Sequence, residues 1–135
     1  MPHSGVRTAM NPTHVLVYSL ILTWIMIVTA ALVRVRGNLV TAVSNRAGVP
    51  PATELSGRAD RAATNMLENM VLFVGAWAVS RDVTAWQVTI GAQLFLVARL
   101  VYWPVYVAGI PVIRTGIWLA GVAAIGLMLS AVIAS

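Results

Sequence analysis

This chain of 135 residues reads as an all-α integral membrane protein, a four-helix bundle whose helices run up, down, up and down. Three observations point there. Of its residues, 59% are hydrophobic and only 10% charged, where a soluble domain carries about a quarter charged. The apolar residues gather into four runs, each near the ~20 residues that cross a bilayer. The remaining charges mostly flank those runs, and every basic one is an arginine. The length suits one compact helical unit over residues 1–135 and is too short for two domains.

The first span is expected at about 13–34. Asn11-Pro12 supplies a capping side chain and a proline at the first helical position, and Arg34 and Arg36 close the apolar run. This run is too long for a signal-peptide core, and the ten residues before it are polar, so it reads as a retained span. Gly37 to Gly57, with Gly48 and Pro50-Pro51, reads as a connection. The second span, about 57–79, starts near Ser56. Arg81-Asp82 makes a tight turn, with Asp82 or Thr84 capping a third span at about 83–107. Pro104 within it cannot donate to the Leu100 carbonyl, which predicts a kink. Gly109-Ile110-Pro111 then turns the chain into a fourth span, about 111–134.

Orientation follows from arginine placement. Arg34, Arg36, Arg46, Arg58 and Arg61 belong to the first loop, whereas Arg7 and Arg81 lie on the other side. The first and third loops are therefore expected in the cytoplasm and both termini opposite, in a bacterial inner membrane. The net charge of +5 comes from these flanking arginines and does not describe a solvated nucleic-acid face. Cysteine is absent, so disulfides, thiolate metal sites and a cysteine nucleophile are excluded. His3 and His14 sit at the far end without a carboxylate cluster, and no metal is expected.

The most informative stretch is 58–69. At about 100° per residue, Arg58, Arg61, Asn65, Glu68 and Asn69 fall within an arc of roughly 100° on the second helix. Such a stripe is too costly to turn toward lipid. Glu68 and Arg99 come out at matching depth, roughly 13–15 Å inside. An unpaired charge there costs several kcal/mol, so they are expected to form an ion pair. Arg99, Tyr102 and Tyr106, three and then four residues apart, share a face. Arg114 opens the fourth span on the same side. It either snorkels to the interface or adds a cation to a pocket that suits a zwitterion bearing carboxylates. Gly116, Ala120 and Ala124, and then Gly126 and Ser130, are spaced for close helix packing within or between subunits.

Arg61-Ala62-x-x-Asn65-x-x-Glu68-Asn69, preceded by Arg58, resembles the signature of the membrane-associated proteins in eicosanoid and glutathione metabolism, the MAPEG family. The likeness extends to Arg34 and Arg36 ending the first span, to Arg99-x-x-Tyr102-x-x-x-Tyr106, and to Pro111 followed by Arg114. It covers nearly the whole chain, includes a likeness to the microsomal glutathione transferases, and leaves the choice among members open. Asn69 stands where the leukotriene-forming member has tyrosine. The only acids in or near the first loop are Glu54 and Asp60, and neither is a clear counterpart of the acid proposed for the prostaglandin branch.

The resemblance implies a homotrimer binding glutathione between subunits, as thiol co-substrate and without metal. Arg34, Arg61, Asn65, Glu68, Tyr102 and Tyr106 would hold the tripeptide, and Arg114, with Thr115 beside it, would stabilise its thiolate. The expected activity is transferase or peroxidase chemistry on lipophilic electrophiles arriving through the bilayer. Two alternatives stand beside it: a non-catalytic protein of the same fold that binds lipid or another membrane protein, and use of a different small thiol.

Overall fold

The computed structural model describes residues 10–45 and 48–134. His3, Arg7 and Arg46 lie outside the described residues. Five helices make up the described chain: α1 (Pro12–Arg34), α2 (Leu39–Val43), α3 (Glu54–Val79), α4 (Trp86–Ala108) and α5 (Pro111–Ile133). Of these, α1, α4 and α5 are long and apolar enough to cross a membrane. The 26-residue α3 is long but carries the polar stripe in its first half. The expected plain loop between α1 and α3 instead contains α2. Asn38 starts it by accepting from the Thr41 amide at 3.2 Å.

Local chemistry sets the helix ends. Asn11 Oδ1 accepts from the Thr13 amide at 2.9 Å, with Pro12 opening α1. Arg36 ends α1 in the left-handed conformation usually left to glycine, at φ 54°. Thr53 and Ser56 form a reciprocal capping box at the start of α3. The helix after the Arg81-Asp82 turn begins later than expected. Asp82 Oδ1 is taken by the Thr84 hydroxyl at 2.6 Å and the Thr84 amide at 2.8 Å. Those bonds hold the Asp82 carboxyl below its ordinary range, the hydroxyl contributing most. Capping thus gives way to a local turn, and α4 starts without a side-chain cap. α4 remains helical through Pro104. It ends in a Schellman motif: Gly109 at φ 79°, its amide on the Tyr106 carbonyl, and the Ile110 amide on the Val105 carbonyl.

Successive long helices run antiparallel, as their contacts show. Phe73 on α3 stacks on Phe95 of α4 at 4.3 Å, while Asn69 and Asn65 reach Arg99. On α4 and α5, Gly91 faces Ala124 and Met128, and Arg99 faces Gly121. The α4–α5 and α1–α3 pairs pack most extensively. Ala124 and Gly121 serve the within-chain contact, whereas Gly116 and Gly126 look onto open space. A Cβ on Gly91 would stand 2.6 Å from Met128 Cγ and 2.7 Å from the Ala124 carbonyl oxygen. Gly91→Ala is therefore expected to part these helices and cost about 1–3 kcal/mol. Its thermal midpoint in detergent, compared with that of the open-site variant Gly126→Ala, checks this.

Candidate functional site

The polar stripe of α3 straddles the boundary between the chain's interior and its surface. Around the helix, Glu68 and Arg61 mark one edge of the arc, Arg58 and Asn69 the other, with Asn65 between. The structure follows that order. Glu68 and Arg61 are exposed, Asn65 and Arg58 half-buried, and Asn69 buried. Arg58 pairs with Glu54 one turn earlier at 3.7 Å. Its guanidinium also lies against the α4–α5 corner, where a Cβ on Gly109 would stand 3.0 Å from Arg58 Nη1.

The expected Glu68–Arg99 ion pair does not form among the described residues. Arg99 is 1% exposed. Its Nη1 donates to Asn65 Oδ1 at 3.0 Å and its Nη2 to Asn69 Oδ1 at 2.8 Å. The physical reason is angular. Asn69 sits on the edge of the stripe that faces α4, and Glu68 sits roughly 100° away on the opposite edge. The guanidinium is further held over the Phe95 ring at 5.2 Å and the Tyr102 ring at 5.3 Å. Gly121 makes room for it, since a Cβ there would come within 2.6 Å of Nη2. Two amides and two rings thus solvate a buried cation in place of a carboxylate.

Next to this network, Asn65, Tyr102, Tyr106, Arg114, Thr115 and Trp118 line a cavity of about 250 Å³ between α3, α4 and α5. Tyr102 is buried and its ring lies 5.3 Å from that of Tyr106. The Arg114 guanidinium lies 4.8 Å over the Tyr106 ring. The Thr115 hydroxyl donates to the Pro111 carbonyl at 3.1 Å, within its own helix. Five of the residues singled out in the sequence therefore meet here: Asn65, Tyr102, Tyr106, Arg114 and Thr115. Trp118 was missed. Its signal was its place one turn beyond Arg114 on the same face.

Arg34, Arg61 and Glu68 do not line this cavity. Arg34 donates to the Pro50 carbonyl and borders a cleft of about 560 Å³ between α1, α2 and α3. Asp60, Thr64 and Leu67 form the α3 wall of that cleft. Asp60 and Thr64 were not singled out, although their spacing of four places them on one face, turned away from Asn65.

A bundle of long helices, three of them able to span a bilayer, with a polar cavity opening between α3, α4 and α5 that carries a cation and two phenols, describes an integral membrane protein. Residues 14–134 match the MAPEG family, and the chain belongs to it. No curated protein and no solved structure gives a significant match to the chain.

Proposed function

We propose that this protein is a glutathione-dependent transferase or peroxidase that acts on lipophilic electrophiles within the membrane. The observation that carries the reading is the cavity itself. It gathers Arg114, Tyr102, Tyr106 and Asn65 on three helices of a chain that belongs to the MAPEG family. A guanidinium beside a thiol favours its ionised form, and Arg114 is half-buried, where that effect is less screened than in open water. The phenols and the Asn65 amide supply directional hydrogen bonds to a peptide.

In the transferase reaction, the thiolate sulfur forms a bond to an electrophilic carbon, and the leaving group departs with its bonding pair. In the peroxidase reaction, the thiolate attacks one oxygen of a peroxide and the O–O bond breaks. The departing alkoxide takes up a proton, and a second glutathione displaces hydroxide from the sulfenic acid to give the disulfide and water. Positioning and electrostatics supply the rate in both cases.

The reading includes a homotrimer in the membrane, with α3 as a fourth span and the first and third loops cytoplasmic. The cavity lacks Arg34, Arg61 and Glu68, which lie elsewhere on the surface of the single chain. A neighbouring copy brings its Arg34 cleft to the Arg114 cavity and completes the tripeptide site. Cross-linking and native mass spectrometry in mild detergent are expected to show a three-subunit species. Co-expressed Arg34→Ala and Arg114→Ala chains are expected to regain activity that neither has alone, because one contact in a mixed trimer joins two intact halves. No recovery in verified mixed trimers places both residues of a site in one subunit.

The first experiment is calorimetry of the detergent-solubilised protein with glutathione and S-hexylglutathione. Absence of binding to either favours the second reading, a non-catalytic member of the same fold. The inward turn of Asn65 and Asn69 onto Arg99 is what speaks for it, since that network also holds helices together.

A further inference from the structure

An amide has two different ends, and the partner at one end dictates what the other presents. The Arg99 guanidinium offers only donors, so both asparagines it touches turn their oxygens toward it. Asn69 is then used up: its Nδ2 donates to the Asn65 backbone carbonyl at 2.8 Å. Asn65 is not. Its oxygen is committed to Arg99, with Asn69 Nδ2 a further 3.4 Å neighbour, and its Nδ2 is left on the far side, on a residue that lines the cavity. The clamp is built to stay. Arg99 is 1% exposed and Asn69 5% exposed, and Gly121 packs flush against the guanidinium.

We propose that Arg99 and Asn69 are positioning residues that hold Asn65 as a hydrogen-bond donor toward the cavity. The ligand group that meets this wall is therefore an acceptor, a carboxylate or a peptide carbonyl, and not an ammonium or an amide N–H. This deepens the glutathione reading and rests on it for the ligand's identity; the orientation of the amide does not.

Two measurements test it. The first needs no ligand: side-chain amide spectra of the detergent-solubilised protein carrying nitrogen-15 asparagine, assigned by Asn65→Asp and Asn69→Asp. Asn65 amide protons exchanging with water, and Asn69 amide protons protected, are expected. Protected Asn65 protons overturn the orientation. The second is calorimetry with S-hexylglutathione. Asn65→Ala is expected to weaken binding roughly tenfold, the scale of one hydrogen bond to a charged acceptor, and Asn65→Asp more. An Asn65→Asp protein that binds as tightly as wild type overturns the proposal, because a carboxylate can only accept.

Arg99→Met is expected to weaken binding by a similar factor in the wild-type background, and by no more than about twofold when Asn65 is already alanine. Equal losses in the two backgrounds mean that Arg99 does not act through Asn65. If wild type ignores S-hexylglutathione while the exchange pattern is as expected, the glutathione reading fails and the positioning of Asn65 stands.

Discussion

Arg114→Ala is expected to depress glutathione-dependent turnover about a hundredfold, the scale of losing one preorganised group that stabilises an anion. Binding of S-hexylglutathione, whose sulfur cannot ionise, is expected to weaken only a few-fold. The contrast follows from placing the half-buried guanidinium at the sulfur and not at a carboxylate. Thiolate absorbance in the ultraviolet is expected when wild type is mixed with glutathione, and to be largely lost in the variant. Arg61→Ala is expected to behave differently, losing affinity for both ligands, because the role proposed for this exposed cation is to grip a carboxylate of the tripeptide. Thiolate signal and turnover both unchanged in Arg114→Ala would reduce the residue to an interfacial anchor stacked on Tyr106.

The second large effect concerns stability. Asn69→Leu removes the acceptor of Arg99 Nη2 and leaves a buried cation with one amide partner. The expected loss is about 2–3 kcal/mol, since hydrogen bonds to charged groups sit at the upper end of the usual range. Arg99→Met alone strands two amide oxygens instead. Combining the two replacements is expected to recover part of the loss, because an apolar set of similar volume avoids desolvating a cation. Denaturation of the solubilised protein for both singles and the double checks this. Strict additivity means that the two side chains are not energetic partners. Glu68→Gln serves as control, with little effect expected on the stability of the single chain, where Glu68 is exposed.

Much of the architecture was legible because hydropathy and turn chemistry agree. Asn11-Pro12 and Gly109 mark helix ends in the structure as they do in the sequence. The α2 helix was not legible, since Leu39–Val43 buries nothing and rests on a local cap. The same local chemistry displaced the start of α4, where Thr84 outcompeted the helix for Asp82.

At the site, the spacing rule correctly grouped Tyr102 and Tyr106. The logic of charge pairing failed for Arg99 because it weighed depth and sign without angle. Glu68 has the right depth and charge, but Asn69 has the right azimuth, and the cation took the partner within reach. Helical phase also explains why Arg34 could not be placed beside Arg114 within one chain. Thr64 and Asn65 are adjacent in sequence yet open onto different cavities.

The α4–α5 corner acts as a ruler. Tyr106 lies two residues before the end of α4 and Arg114 three residues after the start of α5, with only Gly109 and Ile110 between the helices. The corner admits no slack: Gly109 is left-handed, its motif bonds close onto Val105 and Tyr106, and Arg58 presses on it from α3. With the corner's shape kept, adding one helical residue between it and Arg114 would turn that side chain by about 100° around α5 and swing it off the Tyr106 ring. Deleting one would swing it the other way. The contact between cation and phenol is thus encoded in the count of residues around the bend as much as in their identity, and a chain that kept every side chain of the cavity but changed that count would no longer bring the two together.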